Sequence, residues 1–434
     1  MYDPDFFASR AARADLDAKM CVPDVSLALG RCPSSVLDVG CGDGSWLRWW
    51  REMGAKALVG IDAHGPDAWA RQTGGAHVRL DLAQPFDFGQ TFGIVQCLEV
   101  AEHVPEESAD TLVDSLCRHG DRVLFSAAHP GQGGTGHVNE QPMAYWAEKF
   151  AARGFVGQDI VRHRIAPQVS PWFRDNLILF CRESAKVTVP TTKICTAAYR
   201  DCFTEVEDRI TDMTKSPLLP RVYGAEPFAR HMLSHDAVVE KMRSKIADET
   251  MLLPRWRDVE YSLWIDADTI FGVQQAIDLV VACHANRLDI LSGIYTTKQE
   301  HARIVHRVNG KPRSLPLGPY AQPYQVDGVG FGFCVVRNAI YEQMAVDRRA
   351  GIKRAWLGPG EFVFDFFATR VEKPDDMWLD PVTGALCGPW FSEDTAFSER
   401  AIASGHQVWI QPQICVKHRG RYDFGVQNIQ TEAA

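Results

Sequence analysis

Ser35-Val36-Leu37-Asp38-Val39-Gly40-Cys41-Gly42-Asp43-Gly44-Ser45-Trp46-Leu47 decides how the first half of the chain is read. An apolar run interrupted by one acid leads into three alternating glycines, Gly40, Gly42 and Gly44, and then into a helical pattern. That is a strand, a tight turn and a helix start. Glycine lets the backbone turn sharply and approach a ligand where a side chain would intervene. The helix is predicted from Ser45 to Met53 and stops at Gly54, a residue suited to a left-handed C-cap. A second strand, Ala57–Ile61, ends in Asp62, some two dozen residues after Asp38. At that separation an acid on the second strand meets ribose hydroxyls. A third strand, His77–Leu80, ends at Asp81. A fourth, Phe92–Leu98, runs into Glu99-Val100-Ala101-Glu102-His103-Val104-Pro105. Upstream, residues 5–30 read as an amphipathic helix with core contacts expected at Phe6, Phe7, Leu16, Met20 and Leu27.

Nucleotide and flavin folds share such a glycine turn, but here three further strand ends carry acids in order. The set resembles the class I S-adenosylmethionine-dependent methyltransferases over roughly residues 1–183. The resemblance implies S-adenosylmethionine as cofactor. Asp38, Gly40, Gly42 and Gly44 would line its methionine end, Asp62 would bind the ribose hydroxyls, and Asp81 with Leu82 would meet the adenine. Glu99 to His103 is similar to the E-V-x-E-H segment of small-molecule O-methyltransferases, which adds Glu99 to the cofactor residues. The loop Ser126–Gln141 follows a fifth strand, Arg122–Phe125, and in this fold faces the transferred methyl. Its two histidines, His129 and His137, are candidate bases for an acceptor hydroxyl near neutral pH, and either can equally hold loop backbone. A helix over Trp146–Gly154 and closing strands near Gln158–Arg164 and Asn176–Cys181 complete the unit. Between those strands, Trp172 and Phe173 either wall an acceptor pocket or belong to the core.

The chain has 434 residues, enough for more than one core. Its charged fraction of 23% and hydrophobic fraction of 46% are ordinary for a globular protein, and the net charge of −9 offers no basic footprint for nucleic acid. No apolar run reaches the roughly 18 residues of a spanning helix, and no leader pattern precedes the first helix. The 12 cysteines form no C-x-x-C pair and read as buried hydrophobes of a reducing cytosol, so a cytoplasmic location is expected. Arg182-Glu183-Ser184-Ala185-Lys186 is polar and marks the seam, with the first domain over 1–183, a linker over 184–191, a second domain over 192–424 and a tail over 425–434.

In the second domain, Val259–Ile265 is an apolar, aromatic-rich strand ending in Asp266-Ala267-Asp268. Two carboxylates spaced i, i+2 at a strand exit can share one hard divalent cation with a diphosphate. Before it comes a helix, Lys241–Glu249, containing Arg243. After it come a helix over 271–285, a strand Ile290–Tyr295, and an irregular stretch over 296–323 that suits a flap. Val326–Arg337 then combines glycines with a strand. Ser392, Glu393 and Asp394 open a helix that Ser392 caps, and a last strand, Val408–Ile410, leads to His418-Arg419-Gly420. In order, these pieces resemble GT-A fold glycosyltransferases over about residues 190–424.

That resemblance implies a nucleotide-sugar donor and Mn²⁺ or Mg²⁺. Asp266, Asp268 and His418 would hold the metal, and Arg243, Asp266, Gly330 and Phe331 the donor. Asp394 is favoured as acceptor base, with Glu393 beside it. Trp390 or Phe391 would stack on a sugar face or belong to the core. The expected class is therefore α/β, with a Rossmann-like methyltransferase sheet followed by a nucleotide-sugar-binding fold. The expected activity is bifunctional transfer to a glycan or glycoconjugate. The alternatives are a glycosyltransferase carrying a non-catalytic methyltransferase-like scaffold, and transfer to a base hydroxyl of DNA.

Overall fold

The computed structural model describes residues 4–198, 204–215, 219, 227–234, 239–294, 306–313, 317–358, 361–371, 378–379, 386–387, 390–419 and 423–424. Part of the expected flap and the whole of the expected tail lie outside them. The chain divides into two compact units, Met1–Thr188 and Val189–Ala434.

The first unit is built on strands β1 (Ser35–Val39), β2 (Ala57–Ile61), β3 (Ala76–Val78), β4 (Ile94–Leu98), β5 (Arg122–Ser126), β6 (Phe155–Gln158) and β7 (Ile178–Arg182). They form one sheet in the order β3-β2-β1-β4-β5-β7-β6. Every neighbouring pair is parallel except those made by β7, which runs antiparallel to both β5 and β6. The strand order reverses between β1 and β4, and in open α/β sheets the crevice at the carboxyl ends of such a pair receives the ligand. Both strands are buried along their length, as expected for the centre of a parallel sheet covered on both faces.

Two details depart from expectation. Helix α1 (Pro4–Ala28) buries Ala18, Cys21, Val22, Val25 and Ala28, while Leu16 is 39% exposed and Met20 and Leu27 are only half-buried. The side chains of Phe6 and Phe7 lie outside the described residues. The buried stripe consists of small side chains at three- and four-residue spacing, which lets α1 come close to helix α2 (Ser45–Glu52). Choosing the largest apolar residues therefore picked the neighbouring face. The second departure is β6, which lies over Phe155–Gln158, whereas Arg162–Arg164 is a single 3-10 turn. Helix α3 (Met143–Ala151) is followed by a turn that closes at Gly154, whose φ of 76° redirects the chain so that the strand begins at once.

The second unit has strands β8 (Thr192–Ala198), β9 (Phe228–Ser234), β10 (Tyr261–Ile265), β11 (Thr269–Ile270), β12 (Ile290–Ile294), β13 (Tyr324–Val326), β14 (Phe333–Arg337), β15 (Val408–Cys415) and β16 (Lys417–Arg419). Seven of them make a mixed sheet in the order β13-β15-β12-β14-β10-β8-β9. Strand β14 sits near its centre, antiparallel to both β10 and β12. Beneath it lies an aromatic core in which Phe331 meets Trp264, Phe367 and Phe397 at ring-centroid separations of 5.8, 4.8 and 4.9 Å. A smaller sheet pairs β11 with β16, with Thr269 opposite His418.

In the first unit, Asp17 of α1 is 1% exposed and accepts from the backbone N–H of Ser170 at 2.9 Å, from its hydroxyl at 2.5 Å, and from Arg13. Asp17→Ala leaves a buried N–H without an acceptor, so it is expected to destabilise the unit by about 2 kcal/mol. Urea unfolding followed by tryptophan fluorescence measures this, and an unchanged midpoint contradicts it.

Candidate functional site

At the carboxyl end of β1 the chain passes through Gly40, Gly42 and Gly44 with φ of 81°, 53° and 73°. A Cβ at Gly40 would lie 2.3 Å from Val100, and one at Gly44 would lie 2.1 Å from Trp69. Both positions therefore need glycine for conformation and for space. The turn is fastened by Asp62 at the end of β2, whose carboxylate accepts from the backbone N–H of Gly42 at 2.9 Å, of His64 at 2.8 Å and of Gly65 at 2.6 Å. Two carboxylate oxygens offer about four acceptor directions, so one remains for a ligand hydroxyl.

Asp38, on β1, is 3% exposed. Burial pushes its carboxyl up to about 8; Gln96 opposes the rise, and the charges of Asp62 and Asp43 add to it. Gln96, on β4, accepts from Trp50 Nε1 at 2.8 Å through its Oε1, and its amide lies on the Asp38 carboxyl. A polar residue inside an otherwise apolar strand was the available signal for Gln96, which sequence reasoning passed over. Asp81 is exposed and accepts from the Ala83 N–H at 3.0 Å, and Leu82 is half-buried against the core of this unit.

Glu99 follows β4 with a φ of 54°, a left-handed conformation that non-glycine residues adopt at a cost. Its N–H donates to the Ser126 carbonyl at 3.0 Å, and its carboxylate accepts from Gln132 at 2.9 Å and, at 3.5 Å, from Asn176. Burial raises its pKa, and the hydrogen bonds from Gln132, Ser126 and Asn176 work against that rise. Glu102 is 1% exposed, and its carboxyl is raised to about 8 by burial and by the charge of Glu99. Burial lowers the pKa of His103, and its Nδ1 lies 3.1 Å from the Gly136 carbonyl.

The two loop histidines differ. His129 is exposed, with Nδ1 3.3 Å from the Pro130 carbonyl. His137 is half-buried, with Nδ1 2.7 Å from Glu140 Oε1 and its ring edge-on to that of His103 at 4.9 Å. Glu140, not singled out from the sequence, also accepts from the N–H groups of Gly131 and Gly133 at 2.8 Å each, so it organises the loop.

In the second unit, one guanidinium gathers most of the singled-out acids. Arg243, on helix α4 (Val239–Leu252), has a side chain 3% exposed. It donates to Asp266 at 2.6 Å, to Glu393 at 3.2 Å and to Asp394. Burial works against its charge, but the carboxylates of Asp394, Asp266 and Glu393 more than offset that and hold its pKa up. Asp394 accepts in addition from the Phe331 N–H at 3.1 Å. Its carboxyl is pushed up to about 6, by burial first, with Arg243 opposing and Asp266 and Glu393 adding.

Ser392 caps helix α5 (Glu393–Ala403), accepting from the Thr395 N–H. Phe331 is fully buried, with its N–H on Asp394 and its ring 5.8 Å from the Arg243 guanidinium, and Gly330 is half-buried beside it. Asp268 is half-buried, one residue from the position paired with His418. The side chains of His418, Trp390 and Phe391 lie outside the described residues.

Residues 13–126 match the family model described as "Methyltransferase domain". The first unit therefore carries a methyltransferase domain. Solved structures similar to the chain include the sugar N-methyltransferase of a Streptoalloteichus species, at 18% identity, covering 41% of this chain and 92% of that one with a TM-score of 0.34. The magnesium protoporphyrin IX methyltransferase of Synechocystis is 20% identical, with 42% and 86% covered and a TM-score of 0.32. The 1,6-didemethyltoxoflavin-N1-methyltransferase of Burkholderia thailandensis is 20% identical, with 41% and 85% covered and a TM-score of 0.32. Likenesses at these levels carry nothing about substrate. No curated protein matches the chain. No described helix is long and apolar enough to cross a membrane.

With Asp38 raised to about 8, its carboxyl is mostly protonated at pH 7 in the free protein. A cationic ligand group placed beside it favours the charged form and lowers the bound value, so binding near pH 7 releases a proton. Calorimetry with S-adenosylhomocysteine in buffers of different ionisation enthalpy is expected to show that release in the wild type. Asp38→Asn is expected to abolish it, and equal release in both proteins contradicts the assignment.

Proposed function

We propose that the chain is a two-headed transferase. Its first unit moves methyl from S-adenosylmethionine, and its second moves a sugar from a nucleotide-sugar with the help of Mn²⁺ or Mg²⁺. The glycine cradle after β1 and the open acceptor direction on Asp62 fit the cofactor of the first activity. So does the buried Asp38 carboxyl, which Gln96 flanks. The cofactor supplies an electrophilic methyl group. The chain's own part is to hold the ribose through Asp62, seat the amino-acid end over Gly40–Gly44, and present the acceptor from the loop around His137.

The observation that carries the second activity is the convergence of Asp266, Glu393 and Asp394, far apart in sequence, on the buried Arg243. Arg243 holds the acids in place, and a contact to the nucleotide would use the N–H donors that these three bonds leave. Asp266, Asp268 and His418 are the residues that would hold the metal, and the pairing of Thr269 with His418 supports that set. When bound, the metal offsets the charge of the diphosphate leaving group. Asp394, with its carboxyl near 6, suits a base for an acceptor hydroxyl at neutral pH, and Glu393 shares the helix end without sharing the job. A glycan or glycoconjugate acceptor served by both units is the simplest reason for the fusion.

Asp62→Ala is expected to weaken S-adenosylhomocysteine binding about tenfold or more through loss of a charge-assisted hydrogen bond. An unchanged calorimetric affinity refutes the cofactor assignment. The same variant is expected to leave donor hydrolysis intact, while Asp268→Ala abolishes that hydrolysis and spares methyl transfer. Loss of both activities in either folded variant contradicts the modular account.

Mn²⁺ is expected to raise nucleoside-diphosphate affinity steeply in the wild type. His418→Ala should lose most of that gain and keep the metal-free affinity. Because the ligand is a neutral imidazole, the gain should fade as pH drops below about 6.5. Glu393→Gln and Asp394→Asn should slow turnover with little effect on donor binding. A metal response in His418→Ala equal to that of wild type removes His418 from the site.

A further inference from the structure

In the second unit a cavity of about 530 Å³ is lined by Glu260, Tyr261, His284, Arg287 and Arg337. It lies where Tyr261 of β10 pairs with Arg337 of β14, whereas Ile265, next to Asp266, pairs with Phe333 about 13 Å further along the strand. A cavity of this size suits a small molecule. Arg337 is already matched, because Asp289 accepts from its Nε at 3.0 Å. Arg287 and Glu260 are exposed at the cavity, and neither side chain forms an ion pair among the described residues, with the other or with any further group. The charges of Arg287, Arg337, Asp289 and Glu260 therefore cancel in total, yet one of each sign stays unmatched. Tyr261 Oη lies 3.3 Å from His284 Nδ1, a pair that adds hydrogen-bonding capacity. Arg287 also occupies a backbone position that favours glycine. It follows the helix Val273–Ala285 and its cap Asn286 with a φ of 54°. Its N–H donates to the His284 carbonyl and that of Leu288 to the Cys283 carbonyl, at 3.0 Å each, which is the bonding of a Schellman turn. Helices α2 and α5 place Gly54 and Gly405 at the corresponding position. An arginine there carries a conformational cost that ending the helix does not require, and such costs gather where side chains hold ligands.

We propose that this cavity binds a small zwitterion, with the ligand's carboxylate on Arg287 and its ammonium group on Glu260. The site is separate from the acid cluster around Arg243 and rests on neither transfer activity. A planar guanidinium takes a carboxylate through two parallel N–H bonds, and a carboxylate accepts readily from an ammonium. A ligand carrying both signs matches both residues and keeps the cavity's charge balance. A plain anion faces Glu260 as well as Arg287, and a plain cation meets the reverse conflict, so both are disfavoured.

The test is calorimetric titration of the full chain with glycine, 4-aminobutyrate and 6-aminohexanoate, which hold their two charges at increasing separation. Acetate and methylammonium, with one charge each, are the controls. At least one zwitterion is expected to bind saturably, one per chain, and at least tenfold more tightly than either control. Arg287→Gly and Glu260→Gln should each weaken that binding at least tenfold. Glycine relieves the left-handed backbone at position 287, so the thermal midpoint of Arg287→Gly should equal or exceed that of the wild type, which separates lost binding from lost folding. No zwitterion binding more tightly than the controls overturns the proposal. So does binding that either variant leaves unchanged. Acetate binding as tightly as the best zwitterion reduces the cavity to an anion site and overturns the role of Glu260.

Discussion

Both units gather carboxylates around the ends of central strands, some on the strands and some on neighbouring turns or a helix start, where charge withdrawn from water must be neutralised or paired. The two units do this differently. In the first, Asp38 and Glu102 have little counter-charge, and burial drives both toward the protonated form. In the second, Arg243 supplies the counter-charge to three acids at once. The first arrangement gives a site whose protonation responds to what binds. The second gives a site whose acids are preorganised and whose geometry depends on one side chain. Asp394 lies between these cases, paired with Arg243 and still raised to about 6.

The first unit was legible where local rules suffice. The glycine turn, the acids at the ends of β1 and β2, and the central strands appear where the sequence placed them, because each rests on a few consecutive residues. Misreadings arose where tertiary context chooses among local options. Helix α1 buries a face of small residues against α2 rather than its largest apolar ones. Gln96 and Glu140 gain meaning only from partners 46 and 3 residues away that the fold brings together. Likewise, His103 could be quoted as part of a motif, but its meeting with His137 depends on how the loop folds back.

In the second unit the sequence offered each short motif separately, and spacing alone could not say that Arg243 would meet both Asp266 and the Glu393–Asp394 pair. Ser392 was legible as a cap, since an N-cap needs only its own helix. Phe331, expected among the donor-binding residues, packs its ring in the core beside Arg243 and gives its backbone N–H to Asp394, an arrangement its sequence neighbours do not announce. Glycine-rich turns carry this ambiguity generally, because close approach of backbone to a ligand and close approach to a neighbouring side chain favour the same residue.

The central position of β14 and the late arrival of β15 bear on the order in which the chain is made. In the first unit, each of the seven strands finds its neighbour by residue 182. In the second, β12 ends at residue 294, but its parallel partner β15 begins only at residue 408. Until that stretch leaves the ribosome, one edge of β12 has unpaired N–H and C=O groups. Domains generally fold as units from the N-terminal end during synthesis. The first unit thus has its full set of strands while the second still presents an open edge, and that interval is when the nascent chain is most exposed to mispairing.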